Sequence, residues 1–188
     1  SIGDALVNTS YEDRQGIIWF GLGNGLARYD RSTRRFTRFP AGGTDPTQIQ
    51  GSFVCGPLED SEGNFWVLSD KRLNLFDRER GVVETAYETF GLPITVIEDH
   101  NKQHLWLTSF GHGLGRFDKQ TQTFRYFTHA GEGKLSHDSL IDLYQDRDGL
   151  IWLPTMGGGL DVFDPETLKV TQRYKHDPGD PRSIGSNT

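Results

Sequence analysis

From residue 5 onward, short apolar runs alternate with clusters of Asp, Asn, Gly and Ser. ALVNTSYE (5–12) reads as a strand that DRQG turns into a second strand, IIWFG. LGNG turns that into a third, LARYD, and RSTR leads to a fourth, RFTRF. Runs this short, rich in β-branched and aromatic residues and bounded by turn formers, predict strands joined by tight hairpins. The pattern holds to the end of the chain, and no amphipathic helix of any length interrupts it.

The pattern also repeats. Trp19, Trp66, Trp106 and Trp152 are spaced 47, 40 and 46 residues apart. Six or seven positions before each stands an aspartate: Asp13, Asp60, Asp99 and Asp146. Seven or eight positions after each comes a leucine: Leu26, Leu73, Leu114 and Leu160. Four residues further lies another aspartate (Asp30, Asp77, Asp118, Asp164), then an apolar residue at 36, 83, 124 and 170. A strand this short cannot bury an apolar face alone, so each unit must stack on its neighbours. A period of about 45 residues with four strands matches the blades of a β-propeller. The expected fold is therefore all-β, with four four-stranded blades at 1–46, 47–87, 88–133 and 134–182, and 183–188 opening a fifth repeat. The phrase SIG at Ser1 returns at Ser183, and TDPTQIQG (44–51) is related to it. The expectation is a fragment of a larger ring of seven or eight blades, or a ring finished by a second copy. The exposed strand edges of an unfinished ring would then favour self-association.

The phrase D-x-x-G-x-(I/L/F)-W, followed by GGGL-x-x-(F/Y)-D and an aromatic strand, resembles the two-component regulator propeller repeat. So does the linker HDPGDPRSIGSN (176–187). The resemblance is strong in blades one and four and good in blade three. Blade two departs from it by replacing the glycine pair with Asp70, Lys71 and Arg72. It implies a ligand-sensing, non-catalytic module of a bacterial signalling receptor, periplasmic or extracellular. Such a module would be joined through absent parts of the parent protein to a membrane helix and a histidine kinase or diguanylate cyclase. It also implies a small-molecule or oligosaccharide ligand, because members of that family often sense oligosaccharides. Propeller lyases have similar repeats, which keeps a metal-assisted acid–base enzyme as an alternative; a protein-interaction scaffold is another.

Composition narrows the partners. Twenty-six acidic against 20 basic residues give a formal charge of −6, which argues against nucleic acid or an anionic membrane. One cysteine, Cys55, excludes an internal disulfide and any cysteine-based zinc cluster. Neither a signal peptide nor a run of 18 apolar residues is present, and the chain opens without an initiator Met, as a piece of something longer would.

In a propeller, the turns between second and third strands gather on one face with the blade-to-blade connections. The Asp-x-x-Gly turns fall on the other. Ligand contacts are therefore expected at the variable members of the first set. Phe110 and His112 (TSFGHG) offer a ring to stack on a sugar and an imidazole to bond its hydroxyls. Met156 stands at the same place in blade four. Asp70, Lys71 and Arg72 suit an acidic or polyhydroxylated ligand, and Asn24 completes the set. Each also has a plainer reading, as cover for a neighbouring blade or as a solvated turn.

No catalytic, metal or cofactor residue is assigned. DRDG (146–149) has the alternating carboxylates of a calcium loop, yet DRQG and DSEG at the same place read as ordinary hairpin turns. His100 and His104 flank a turn and lack a helical face on which to share zinc. Ser109 near His112 is too generic for a nucleophile. Aligning the innermost strands puts Thr9, Gly56, Thr95 and Asp142 in one register, with Asp142 the single charge. Cys55 is expected to be buried and inert.

Overall fold

The computed structural model describes residues 6–188; Ser1–Ala5, with the first copy of the Ser-Ile-Gly phrase, lie outside the described residues. Among the described residues sixteen strands form four four-stranded antiparallel sheets, each in sequential order. Blade one holds β1 (Val7–Glu12), β2 (Ile18–Leu22), β3 (Gly25–Asp30) and β4 (Arg35–Pro40). Blade two holds β5 (Val54–Glu59), β6 (Phe65–Ser69), β7 (Arg72–Asp77) and β8 (Val82–Glu88). β9 (Leu92–Glu98), β10 (His104–Phe110), β11 (Gly113–Asp118) and β12 (Thr123–Phe127) make blade three. β13 (Tyr144–Gln145), β14 (Ile151–Thr155), β15 (Gly159–Asp164) and β16 (Lys169–Tyr174) make blade four. The chain divides into two units, one running to Pro93 and the other beginning at Ile94. The all-β, four-bladed expectation is met.

The repeated aspartate before each tryptophan explains why the phrase recurs. Asp13 Oδ1 accepts the backbone N–H groups of Gln15 and Ile17, both at 3.0 Å, and so closes the turn between β1 and β2. Its Oδ2 accepts the Trp19 indole N–H at 2.8 Å. Asp60 does the same for Glu62, Asn64 and Trp66, and Asp146 for Asp148, Leu150 and Trp152. One carboxylate thus fixes the turn and aims the indole on the next strand. The second aspartate of each repeat caps the turn after the third strand. Asp30 accepts from the Ser32 and Thr33 hydroxyls and amides, and Asp77, Asp118 and Asp164 take the equivalent amides.

The aimed tryptophans build the cores. In the first unit Trp19 lies 4.6 Å from the Phe65 ring of blade two and packs with Phe39 and Phe76. Ile49, from the linker between the blades, is 1% exposed and joins the same cluster. In the second unit Trp106 packs with Phe127 and Phe163, and the linker supplies Leu135. In each unit a backbone N–H of one blade also donates to a side chain of the other. The Arg14 N–H donates to Glu59 Oε2 at 2.9 Å, and the His100 N–H donates to Gln145 Oε1 at 3.0 Å.

One expectation is corrected. Asp142 is not in an inner strand: it precedes the two-residue β13, is exposed, and accepts the N–H of the adjacent Leu143. The reason is Pro154 on the facing strand. Its carbonyl accepts the Ile141 N–H at 3.3 Å, so that side of the strand needs a donor that proline lacks, and pairing stops. Thr9 and Thr95 do stand on inner strands. Gly56 occupies an irregularity of β5 at φ +53°.

Two predictions follow from the aspartates. Asp60→Ala removes the carboxylate that accepts the Trp66 indole N–H and two turn amides, and is expected to cost roughly 3 kcal/mol. A urea midpoint shift equivalent to less than about 1 kcal/mol would contradict this. Hydroxyl bonds from Ser32 and then Thr33 hold Asp30 at about 2, below its ordinary 3.8, and Asp146 is lowered chiefly by its bond from Trp152. A depressed folded-state value adds stability above the unfolded value, lost as pH falls through the folded one. Thermal unfolding should therefore show stability falling between about pH 4 and pH 2, with a shallower fall in Asp30→Asn.

Candidate functional site

The candidate ligand residues divide between the two units. In the first unit the turn between β6 and β7 is committed to holding the linker. Asp70 has φ +37°, and its carboxylate accepts the Ser52 N–H at 3.1 Å and the Phe53 N–H at 3.0 Å. A side chain at Gly51 would run into that carboxylate, and Gly51 itself sits at φ +95°. Asp70 is thus a staple between its own turn and the linker entering blade two. The same carboxylate, after burial itself, pushes the Cys55 thiol up to about 12. That thiol is 3% exposed and donates to the Pro93 carbonyl, so Cys55 is buried and inert. Lys71 is exposed, and its carbonyl accepts the Thr89 N–H at 2.8 Å. Arg72 is half-buried at the start of β7, in register with Glu88. Asn24 is exposed and accepts from Arg38 at 3.1 Å.

In the second unit the turns converge. The Gly113 N–H, closing the Phe110–His112 turn, donates to the Asp138 carbonyl at 2.7 Å. The Met156 N–H donates to the carbonyl of the next linker residue, Ser139, at 2.9 Å. Two turns from adjacent blades therefore hang on consecutive residues of one linker. That linker is itself braced. The His129 N–H donates to Asp138, the Ser136 N–H donates to the fully buried Asp161, and His137 Nδ1 accepts the Ser139 N–H at 2.9 Å. Over this frame Phe110 is 46% exposed and Met156 42% exposed. His112 is exposed, its Nδ1 lying 3.3 Å from the Phe110 carbonyl. An exposed ring, a thioether and an imidazole on rigid backbone make a surface that can stack on the apolar face of a polyhydroxylated ring and bond its hydroxyls.

Sequence reasoning placed the blade-to-blade connections on this face but missed the anchoring of two turns on Asp138 and Ser139. His137 contributes through the loop only because the chain folds back between blades three and four. Its spacing from Phe110 carries no periodic signal.

With this geometry in view, likenesses to solved structures can be read. No protein-family model matches the chain, and no curated protein sequence does. The fold does match. The chain superposes on the extracellular domain of BT3049 from B. thetaiotaomicron, described as a hybrid two component system. The TM-score is 0.73 at 21% identity, over 90% of this chain and 24% of that one. The extracellular domain of BT4673 from the same organism, described as a one component system, gives 0.74 at 23% identity over 92% and 25%. The β-propeller domain of Myceliophteria thermophila Cps50 gives 0.66 at 11% identity over 90% and 56%.

The chain has a β-propeller fold. It spans about a quarter of the length of the two bacterial extracellular domains. Among the described residues no group of three or more His, Cys, Asp or Glu side chains is placed to hold a metal ion. No helix there is long and apolar enough to cross a membrane.

The staple reading of Asp70 has a direct test. Asp70→Ala should speed amide exchange at Ser52 and Phe53 and lower stability by about 1–2 kcal/mol. Unchanged exchange at both amides would contradict it.

Proposed function

We propose that the chain is a ligand-sensing, non-catalytic propeller module of a bacterial signalling receptor, of the two-component regulator propeller kind, working in the periplasm or outside the cell. Its ligand is a glycan or another small polar molecule. The binding surface is the loop cluster of the second unit, centred on Phe110, His112 and Met156. The observation that carries this reading is the anchoring of two neighbouring turns on Asp138 and Ser139, which presents an exposed aromatic on rigid backbone. The shared fold with the two bacterial extracellular domains supports the sensor role, as does the Trp–Gly–Asp repeat phrase.

The non-catalytic part is supported by the chemistry of the same turn. Ser109, the nearest hydroxyl to His112 in sequence, is fully buried, and its carbonyl faces the His112 N–H at 3.5 Å. A nucleophile must be accessible to its substrate. Recognition alone needs neither a nucleophile nor an acid–base pair. A signal then requires that the ligand prefer one receptor state over another.

The test is titration calorimetry with a panel of neutral and acidic oligosaccharides. One or more should bind the intact chain, and Phe110→Ala and His112→Ala should each weaken that ligand about tenfold. No binding by any oligosaccharide would overturn the glycan reading. Undiminished binding by the double variant would move the site off this cluster.

A further inference from the structure

The clamp between aspartate and tryptophan is broken in blade three. Asp99 precedes Trp106 by seven residues, one more than in the other blades. Its Oδ1 still accepts the turn amides of Gln103 and His104, but its Oδ2 lies 2.9 Å from the Nδ1 of the His104 ring. Trp106 is 1% exposed, and its Nε1–H has no hydrogen-bond partner. The three other indoles all donate to their aspartates, at 2.8, 2.9 and 2.6 Å. A buried N–H without an acceptor is costly and uncommon.

A second departure meets the first in space. In blades one to three, the residue after the third-strand aspartate is a cation that pairs with the glutamate before the clamp aspartate. These pairs are Arg31–Glu12 at 3.0 Å, Arg78–Glu59 at 3.0 Å and Lys119–Glu98 at 2.7 Å. Blade four carries Pro165 and Gln145 at those positions. In the first unit the cation also works across the blades. Arg78 Nη1 donates to Asp13 Oδ2 of the preceding blade at 3.0 Å, and its guanidinium lies over the Phe65 ring at 5.2 Å. Asp13 Oδ2 thereby takes the indole and the guanidinium together. Pro165 has no cation to offer Asp99. At that junction the second unit has a cavity of about 390 Å³ lined by Asp99, His104, Trp106, Arg116, Gln145 and Glu166, larger than the cavity of about 260 Å³ that Arg78 lines in the first unit.

We propose that this cavity binds a guanidinium group from outside the chain, in the position that Arg78 fills in the first unit. The group pairs with Asp99 and displaces the His104 ring, and the freed Oδ2 accepts the Trp106 indole N–H as in the other blades. The wall favours a cation. It carries the carboxylates of Asp99, Asp148, Asp164 and Glu166 against the guanidinium groups of Arg116 and Arg147, with the rings of His100 and His104. Glu166 accepts from Asn101 at 3.0 Å, and the Arg116 guanidinium lies over the Trp106 ring at 5.8 Å, so both are already oriented. The site does not rest on the sensor reading. β10 begins at His104 and ends at Phe110, so about 20 Å of strand separates it from the loop cluster. The guanidinium could come from a free small molecule or from an arginine side chain of a protein partner.

The experiment follows the four indole N–H resonances of ¹⁵N-labelled protein, assigned with Trp106→Phe, during titration with agmatine, methylguanidine and a blocked Gly-Arg-Gly peptide. A blocked Gly-Lys-Gly peptide serves as control. The Trp106 resonance should move on binding of the guanidinium probes, and the other three should stay. Tighter binding of the arginine peptide than of agmatine assigns the source to a protein partner; the reverse order assigns it to a small molecule. Asp99→Asn should weaken binding about thirtyfold or more. Because that variant removes a turn anchor, Pro165→Arg provides the independent check. It supplies a tethered guanidinium, and should shift Trp106 without ligand, raise the melting temperature and abolish binding. An unmoved Trp106 resonance at millimolar agmatine would overturn the proposal. So would binding that survives in Pro165→Arg while the other three indole signals stay native.

Discussion

Three of the four blades are built around a carboxylate placed six residues before a tryptophan. The clamp aspartate accepts two turn amides on one oxygen and an indole N–H on the other. Each bond is made to a charged acceptor, which makes it stronger than a neutral one. The turn between first and second strands is then rigid, and the indole is committed to one rotamer, lying between its own sheet and the next. Trp19, held in this way, meets Phe65 of the following blade; Trp106 meets Phe163 without that bond. The linkers complete these cores with Ile49 in the first unit and Leu135, Leu140 and Leu143 in the second.

A scaffold secured at its turns can vary elsewhere. The turns between second and third strands carry no clamp, and their composition differs from blade to blade: Asn24, then Asp70–Arg72, then Phe110–His112, then Met156. They do not vary for one reason, however. The blade-two turn has traded its glycine pair for a charge that holds the incoming linker through Ser52 and Phe53. The blade-three turn leaves its aromatic at the surface while its backbone is tied to the linker. The same kind of position therefore serves cohesion in one unit and exposure in the other. The fold is shared with proteins of unlike description, so function must be argued from such sites.

Two prolines of blade four show what happens when the repeat is relaxed. Pro154 removes an amide donor on the side facing the inner strand, and β13 shrinks to two residues. Pro165 removes a cation, and the cavity at that junction is larger than the one Arg78 lines and lies beside an unpaired indole. Proline is tolerated at both places because neighbouring bonds hold the chain. Leu140 still bridges to Thr155, and Asp164 still caps its turn through Thr167.

The residues alone determined the strand count, the turn positions, the one-tryptophan repeat and the burial of Cys55. Each of these is a local or periodic property: a turn needs its aspartate within a few residues, and a strand shows its alternation in its own letters. The third-strand aspartates were legible as turn caps for the same reason. Asp70 was legible as a charge but not as a staple, because its partners Ser52 and Phe53 belong to a different segment. The truncated inner strand around Asp142 was hidden because its cause, Pro154, acts from the facing strand. The open junction at Trp106 did leave a trace, in the seven-residue spacing and in Pro165 and Gln145. Only the tertiary structure decided that these letters, more than sixty residues apart for Asp99 and Pro165, meet at one cavity. Periodicity records which face of a strand is buried; it does not record which side chain from the next blade arrives to fill the space.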